Sequence, residues 1–210
     1  KALSKGGLSS GDIDYMFAGD LLNQCISSTY GLRDFDIPVF GIYGACSTMS
    51  EGLALASLLT DSGLGGRVAA ITSSHFCSAE RQFRFPLAYG GVRTPTAQWT
   101  CTASGAVILS PKAAPPYVRA VTIGRIVDLG VTDANNMGAA MAPAAAYDIK
   151  EFLDDTSMYP SEFDAIITGD LGTVVRNLLI ELLRGEKIKI SKDHRDCGMM
   201  IIDHAYQYVH

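Results

Sequence analysis

The chain has 210 residues, 48% of them hydrophobic, and carries 17 Lys and Arg against 22 Asp and Glu for a net charge of −5. That length supports one large domain or two small ones, and the mildly acidic balance without charge runs argues against a nucleic-acid surface or a polybasic membrane anchor. No apolar stretch reaches the ~18–20 residues of a membrane span and no signal peptide is visible, so a soluble protein is expected. The sequence starts at Lys1 rather than Met and reads as a piece of something longer.

In chain order, β-type apolar runs are expected at 13–18, 38–43, 68–73, 106–110, 118–127, 163–168 and 197–202, and helices at 48–60, 142–154 and 172–184. Their alternation points to an α/β protein with covered sheets. The run 38–43 breaks at Gly44-Ala45-Cys46 into a helix start. A thiol there feels the positive end of the helix dipole, which favours the nucleophilic thiolate. Thr48 and Glu51 have capping-box spacing. The plainer alternative is a small buried residue packing the strand–helix corner. The other cysteines, Cys25, Cys77, Cys101 and Cys197, show no C-x-x-C pair and no zinc spacing. Free thiols in a reducing compartment, with no metal site, are the simplest expectation.

His75 follows the run 68–73 and would emerge at a strand's carboxyl end, where open parallel sheets bind ligands. It is the nearest candidate base for Cys46, or else a polar loop histidine. The remaining histidines, His194, His204 and His210, suggest no role. Between residues 79 and 99 arginines interleave with aromatics: Glu80-Arg81-Gln82-Phe83-Arg84-Phe85-Pro86, then Tyr89-Gly90-Gly91-Val92-Arg93. Such a loop suits clamping a planar anion, with Arg81, Arg84 or Arg93 gripping carboxylates and a ring such as Tyr89 stacking. A subunit-interface loop has the same composition.

The proline cluster within 110–116 is the best linker candidate and divides the chain into halves 1–112 and 116–210. The second half opens with a loop, 135–144, that presents either backbone or Met141 to a ligand, with Pro143 in the first turn of the next helix; its Ala/Met composition fits close packing equally well. The halves share a pattern. Asp14-Tyr15-Met16-Phe17-Ala18-Gly19-Asp20-Leu21 recurs, 150 positions on, as Asp164-Ala165-Ile166-Ile167-Thr168-Gly169-Asp170-Leu171. This suggests an internal duplication. Asp20 and Asp170, on equivalent strands, are helix caps or pocket-lining carboxylates.

Taken together, these residues resemble the thiolase-like superfamily of thiolases and ketoacyl synthases. The element 38–59 resembles its nucleophile element, and Met137-Gly138 with Met141-Ala142-Pro143-Ala144 resembles a conserved thiolase segment. Several further stretches are similar to a family of stage V sporulation proteins built on that fold: Gly19 to Gln24, Gly44 to Thr48, Thr72 to His75, Ala79 to Pro86, Met137 to Ala146, and Thr168 to Gly172. The resemblance implies two duplicated α/β halves in an αβαβα layering, truncated here at both ends, with a first strand missing before Lys1 and final strands after His210. It implies a homodimer that binds dipicolinic acid (pyridine-2,6-dicarboxylate), free or as its calcium chelate; the charge balance already excludes nucleic acid as a partner. It further implies support of that acid's uptake into the developing spore, with the membrane subunits of the same operon. The protein would then sit peripherally on the cytoplasmic side of the forespore or spore inner membrane.

On that resemblance Cys46 is a vestigial nucleophile. Condensing enzymes of the superfamily place a histidine or asparagine after the strand that here is 163–168, and this chain has Gly169-Asp170. The expected ligand set is Cys46, His75, Arg81, Arg84, Tyr89, Arg93, Met141 and Asp170. The alternative is an acyl-CoA-dependent acyltransferase or condensing enzyme with Cys46 as nucleophile and His75 assisting.

Overall fold

The computed structural model describes residues 1–81, 96, 98, 100–112, 114–133 and 136–201. Chain contacts divide the protein into two compact units: Lys1–Gln82 with Cys101–Arg119, and Phe83–Thr100 with Ala120–His210.

In the first unit a short helix α1 (Ala2–Gly6) leads to strand β1 (Tyr15–Asp20), helix α2 (Ile26–Leu32), strand β2 (Val39–Ile42), helix α3 (Thr48–Asp61), and strands β3 (Val68–Ser74) and β4 (Ala103–Leu109). The sheet order is β2-β1-β3-β4. β1 runs parallel to β2 and β3, and β4 returns antiparallel with Val68 opposite Leu109. Successive residues serve opposite faces, as the strand period of two requires. Phe17, Val68 and Ala70 pack with Ala56, Leu53 and Leu59 of α3, while Met16 and Ala69 pack with Leu3 of α1 and Leu32 of α2. Both faces of the central strands β1 and β3 are therefore covered, which explains their near-continuous apolar character. The carboxylate of Asp14 accepts the amides of Gly66 (2.7 Å) and Arg67 (2.9 Å), tying the start of β1 to the start of β3.

The second unit holds helix α4 (Met137–Thr156), strand β5 (Ile166–Thr168), helix α5 (Gly172–Gly185), strand β6 (His194–Asp196) and helix α6 (Cys197–Ile201). β5 and β6 are parallel, with Ile166 opposite His194 and Thr168 opposite Asp196. Leu171 at the N-cap of α5 and Val175, Leu179 and Leu183 within it, spaced four apart, bury one stripe against Ala142, Ala145 and Ile149 of α4. Gly138 is what brings the helices this close, since a β-carbon there would collide with Val175.

Several expected elements differ from the observed ones. The apolar run 197–202 was expected to be a strand, but residues 197–201 form α6, and the strand is the preceding His194–Asp196. The cause is Asp196, whose Oδ1 accepts the amide of Met199 at 3.0 Å, an N-cap to N3 bond that turns the chain into a helix. The expected strand at 118–127 is absent, and described residues 114–133 contain no helix or strand. There Thr122 bonds Asp155 at 2.9 Å and Arg125 pairs with Tyr147 and Glu151, so the segment lies along polar positions of α4 and leaves Ile123 and Ile126 exposed. The loop expected at 135–144 is helical from Met137, and Pro143 sits inside α4 rather than in its first turn. Tight packing of Gly138 against Val175 fixes that first turn, outweighing the proline signal. α2 was not anticipated.

Candidate functional site

In the first unit, the carboxyl ends of β1, β2 and β3 define one edge. After β2 the chain makes a 3-10 turn (Ala45–Ser47) and enters α3 at Thr48. Ala45 has φ of 48°, a left-handed conformation unusual for a residue with a β-carbon. Thr48 locks the turn: its hydroxyl donates to Ala45 O (2.8 Å) and accepts from Gly44 N (3.2 Å). The capping box expected from Thr48 and Glu51 does not form. Ser47 rather than Thr48 is the cap position, the Thr48 hydroxyl is spent on the turn, and Glu51 Oε2 is left without a hydrogen-bond partner. Cys46 is exposed on this turn, which overturns the alternative of a buried corner residue. None of the five cysteines forms a disulfide.

His75 does follow β3, exposed, and opens a single π-helical turn (Phe76–Glu80). Its Nδ1 accepts the amide of Cys77 at 3.3 Å, which puts the proton of the neutral ring on Nε2 and makes that nitrogen a donor rather than a base. β2 and β3 lie on opposite sides of β1. At about 4.8 Å per strand step, the points where Cys46 and His75 leave the sheet are roughly 10 Å apart. A shallow cavity of about 220 Å³ beside the π-helical turn is lined by Leu22, Cys77, Ser78, Ala79 and the exposed Arg81. Ligand pockets typically hold ~300–1,000 Å³, so these side chains alone do not enclose a ligand. Beneath this edge lies a polar hub. Asp20, 1% exposed, accepts the amides of Leu21 (2.7 Å) and Ser27 (3.0 Å), the second in the first turn of α2. Ser28 donates to Gly19 O (2.7 Å) and meets Ser73, and Ser27 meets Ser78. Asp20 thus acts as a cap for α2, one of the two roles open to it.

In the second unit, Asp170 follows β5. Gly198 lets its carboxylate approach, since a β-carbon at 198 would collide with it. Asp196 is 2% exposed; its Oδ2 accepts the amide of Leu171 at 2.8 Å while Oδ1 caps α6. Burial, then Asp196 and Asp170, push the Cys197 thiol above its ordinary pKa. His194, 1% exposed, meets Thr168 Oγ1 through Nε2 at 3.0 Å. Met141 is half-buried on α4 and packs against the apolar core. Arg84, Tyr89 and Arg93 lie outside the described residues. Sequence reasoning missed Asp196 and His194. An aspartate directly before an apolar run is an N-cap signal that could have found the first.

The profile of the stage V sporulation protein AD family (SpoVAD) matches residues 1–210. The chain is 44% identical over 200 residues to the stage V sporulation protein AD of Bacillus subtilis, covering 95% of this chain but only 59% of that protein's length. Solved structures that resemble it include 3-oxoacyl-[acyl-carrier-protein] synthase III from Aquifex aeolicus, with TM-score 0.60, 16% identity, and 93% of this chain aligned to 65% of that one. A priming β-ketosynthase of a polyketide pathway aligns with TM-score 0.63 at 14% identity, over 92% of this chain and 63% of that one. OleA from Xanthomonas campestris aligns with TM-score 0.62 at 13% identity, over 93% and 65%. At these identities the structures show the fold, which is thiolase-like. By the match along its whole length, the chain belongs to the stage V sporulation protein AD family.

Proposed function

We propose that the chain is part of a sporulation protein that binds dipicolinic acid, free or as its calcium chelate, and supports its uptake into the developing spore. The observation that carries this reading is membership of the sporulation family along all 210 residues, joined to Gly169-Asp170 after β5. There the resemblance to condensing enzymes calls for a histidine or asparagine. Losing one such donor to a developing oxyanion commonly costs ~2.7–4 kcal/mol of transition-state stabilisation, enough to cripple acyl transfer while leaving an anion site usable. Arg81, exposed beside the shallow cavity, supplies a guanidinium suited to a carboxylate. Among the described residues no helix is long and apolar enough to cross a membrane. Association with the forespore membrane would run through the membrane subunits of the same operon.

Isothermal titration of dipicolinate into the full-length protein tests the reading. Arg81→Ala and Arg84→Ala are each expected to weaken binding about 10- to 100-fold, the loss of one charge-assisted contact. No detectable binding by the intact protein overturns it.

The second reading, acyl transfer from an acyl-CoA to Cys46, is favoured by one feature: the thiol stands exposed on a strand-to-helix turn held in a left-handed backbone at Ala45. Intact mass after incubation with acyl-CoAs decides it. An adduct that disappears in Cys46→Ser supports transfer, and unmodified protein across several chain lengths removes it.

A further inference from the structure

We propose that His194 makes the β5–β6 pair an acid-sensitive latch on the Asp170 loop, closed while the imidazole is neutral and opened when it is protonated. β5 and β6 are three residues each, so few backbone hydrogen bonds join them and side-chain tethers matter. Side-chain tethers among the described residues hold the loop. Asp196 takes the amide of Leu171 at 2.8 Å, Gln98 Nε2 donates to Leu171 O at 3.4 Å, and His194 Nε2 meets Thr168 Oγ1 at 3.0 Å.

The histidine is the member that titrates near neutrality. It is 1% exposed, and its Nδ1 has no hydrogen-bond partner. A neutral imidazole needs one donor site and one acceptor site, and the Thr168 hydroxyl can serve either role. Imidazolium donates from both nitrogens, so protonation would leave a charged N–H buried and unanswered at one of them. The facing groups oppose the charge. Arg176 of α5 and Arg195 of β6 repel it, and the Asp196 carboxylate, which attracts it, is already committed to two amides.

Burial first, then Arg176, holds the His194 pKa below its ordinary 6.5, with Asp196 opposing. A depressed folded-state value means the stabilisation is fully present above about 6.5 and is lost as pH falls through the folded value. The loop carrying Asp170 is then held at neutral pH and released in acid.

Hydrogen exchange on the full-length protein between pH 7.5 and 5, corrected for the intrinsic pH dependence of exchange, tests this. Residues 166–171 and 194–199 are expected to lose at least tenfold of their protection in acid, while β1 and β3 keep theirs. His194→Gln, which retains a partner for Thr168 but cannot titrate, is expected to abolish the acid-specific loss. Should that variant fail to fold, an NMR titration of His194 in the wild-type protein still decides. A midpoint below 6.5 that coincides with the loss of protection supports the latch. A midpoint at or above 6.5, unchanged protection in acid, or the same loss in His194→Gln overturns it.

Discussion

With one carboxylate, Asp196 answers amides from two elements, Leu171 ahead of α5 and Met199 in α6. A buried donor left without its acceptor costs about 1–3 kcal/mol, so Asp196→Ala is expected to destabilise the protein by about 2–5 kcal/mol. Asp196→Asn, which keeps one carbonyl acceptor, should cost less. Urea midpoints followed by circular dichroism measure both, and a loss below about 1 kcal/mol for the alanine variant would mean that water replaces the carboxylate. The same residue bears on thiol chemistry. Burial, then Asp196 and Asp170, raises the pKa of Cys197, whereas Cys46 and Cys77 are exposed. Iodoacetamide at pH 7.5 should therefore modify Cys46 and Cys77 well before Cys197, read peptide by peptide by mass spectrometry. Asp196→Asn should speed Cys197, because removing a neighbouring negative charge favours its thiolate.

Among the elements, the contact between α4 and α5 is the most sharply determined. Gly138 leaves no room for a methyl group beside Val175. Gly138→Ala should destabilise by about 1–3 kcal/mol through overpacking despite its better helix propensity, and Val175→Ala in the same chain should recover part of the loss. Equal stability of Gly138→Ala and wild type would show that α4 can slide. These helices also mark what sequence could tell. α3 and α5 were legible because their apolar residues recur at helical spacing and each follows a strand; the observed bounds, Thr48–Asp61 and Gly172–Gly185, differ from expectation by one residue. The Cys46 turn was legible for the same reason, as a break in an apolar run. The start of α4 lies five residues before the expected one because Pro143 carries a strong local start signal, and only the tertiary approach at Val175 overrides it. The stretch 197–201 was misread because Met-Met-Ile suits either a buried strand or a helix, and its arbiter, the Asp196 cap, lies one residue outside the run. His194 offered no pattern, since its burial follows from pairing with β5, a contact that no local spacing encodes.

At the level of the whole molecule, the repeat 150 residues apart is a repeat of structure as well as of letters. Ser10–Asp12 and Pro160–Glu162 each form a 3-10 turn, closed by Asp12 on Ser9 N at 2.8 Å and by Glu162 on Tyr159 N at 2.6 Å. A strand follows each, paired in parallel with a later one, and ends near Asp20 or Asp170. In the first unit the two sheet edges are unequal. β2 exposes Val39 and Phe40, with Tyr43 just beyond it, at 48%, 51% and 50%, whereas β4 has one large exposed apolar side chain, Val107 at 42%. An apolar strand edge with unpaired backbone groups is a template for addition, and a symmetric pair of copies must add antiparallel about a two-fold axis. The homodimer implied by the family resemblance is therefore expected to form through β2. Phe40 stacks on Phe17 at 5.1 Å, so replacing it would perturb the fold as well as the edge. Val39→Lys with Tyr43→Lys places charge on the edge and spares that stack. Sedimentation of the full-length protein at micromolar concentration should show a dimer for the wild type. The double variant should be a monomer with an unchanged circular-dichroism spectrum. A wild type that stays monomeric, or a double variant that stays dimeric, would rule out pairing through β2 and shift attention to the 79–99 loop as the assembly surface.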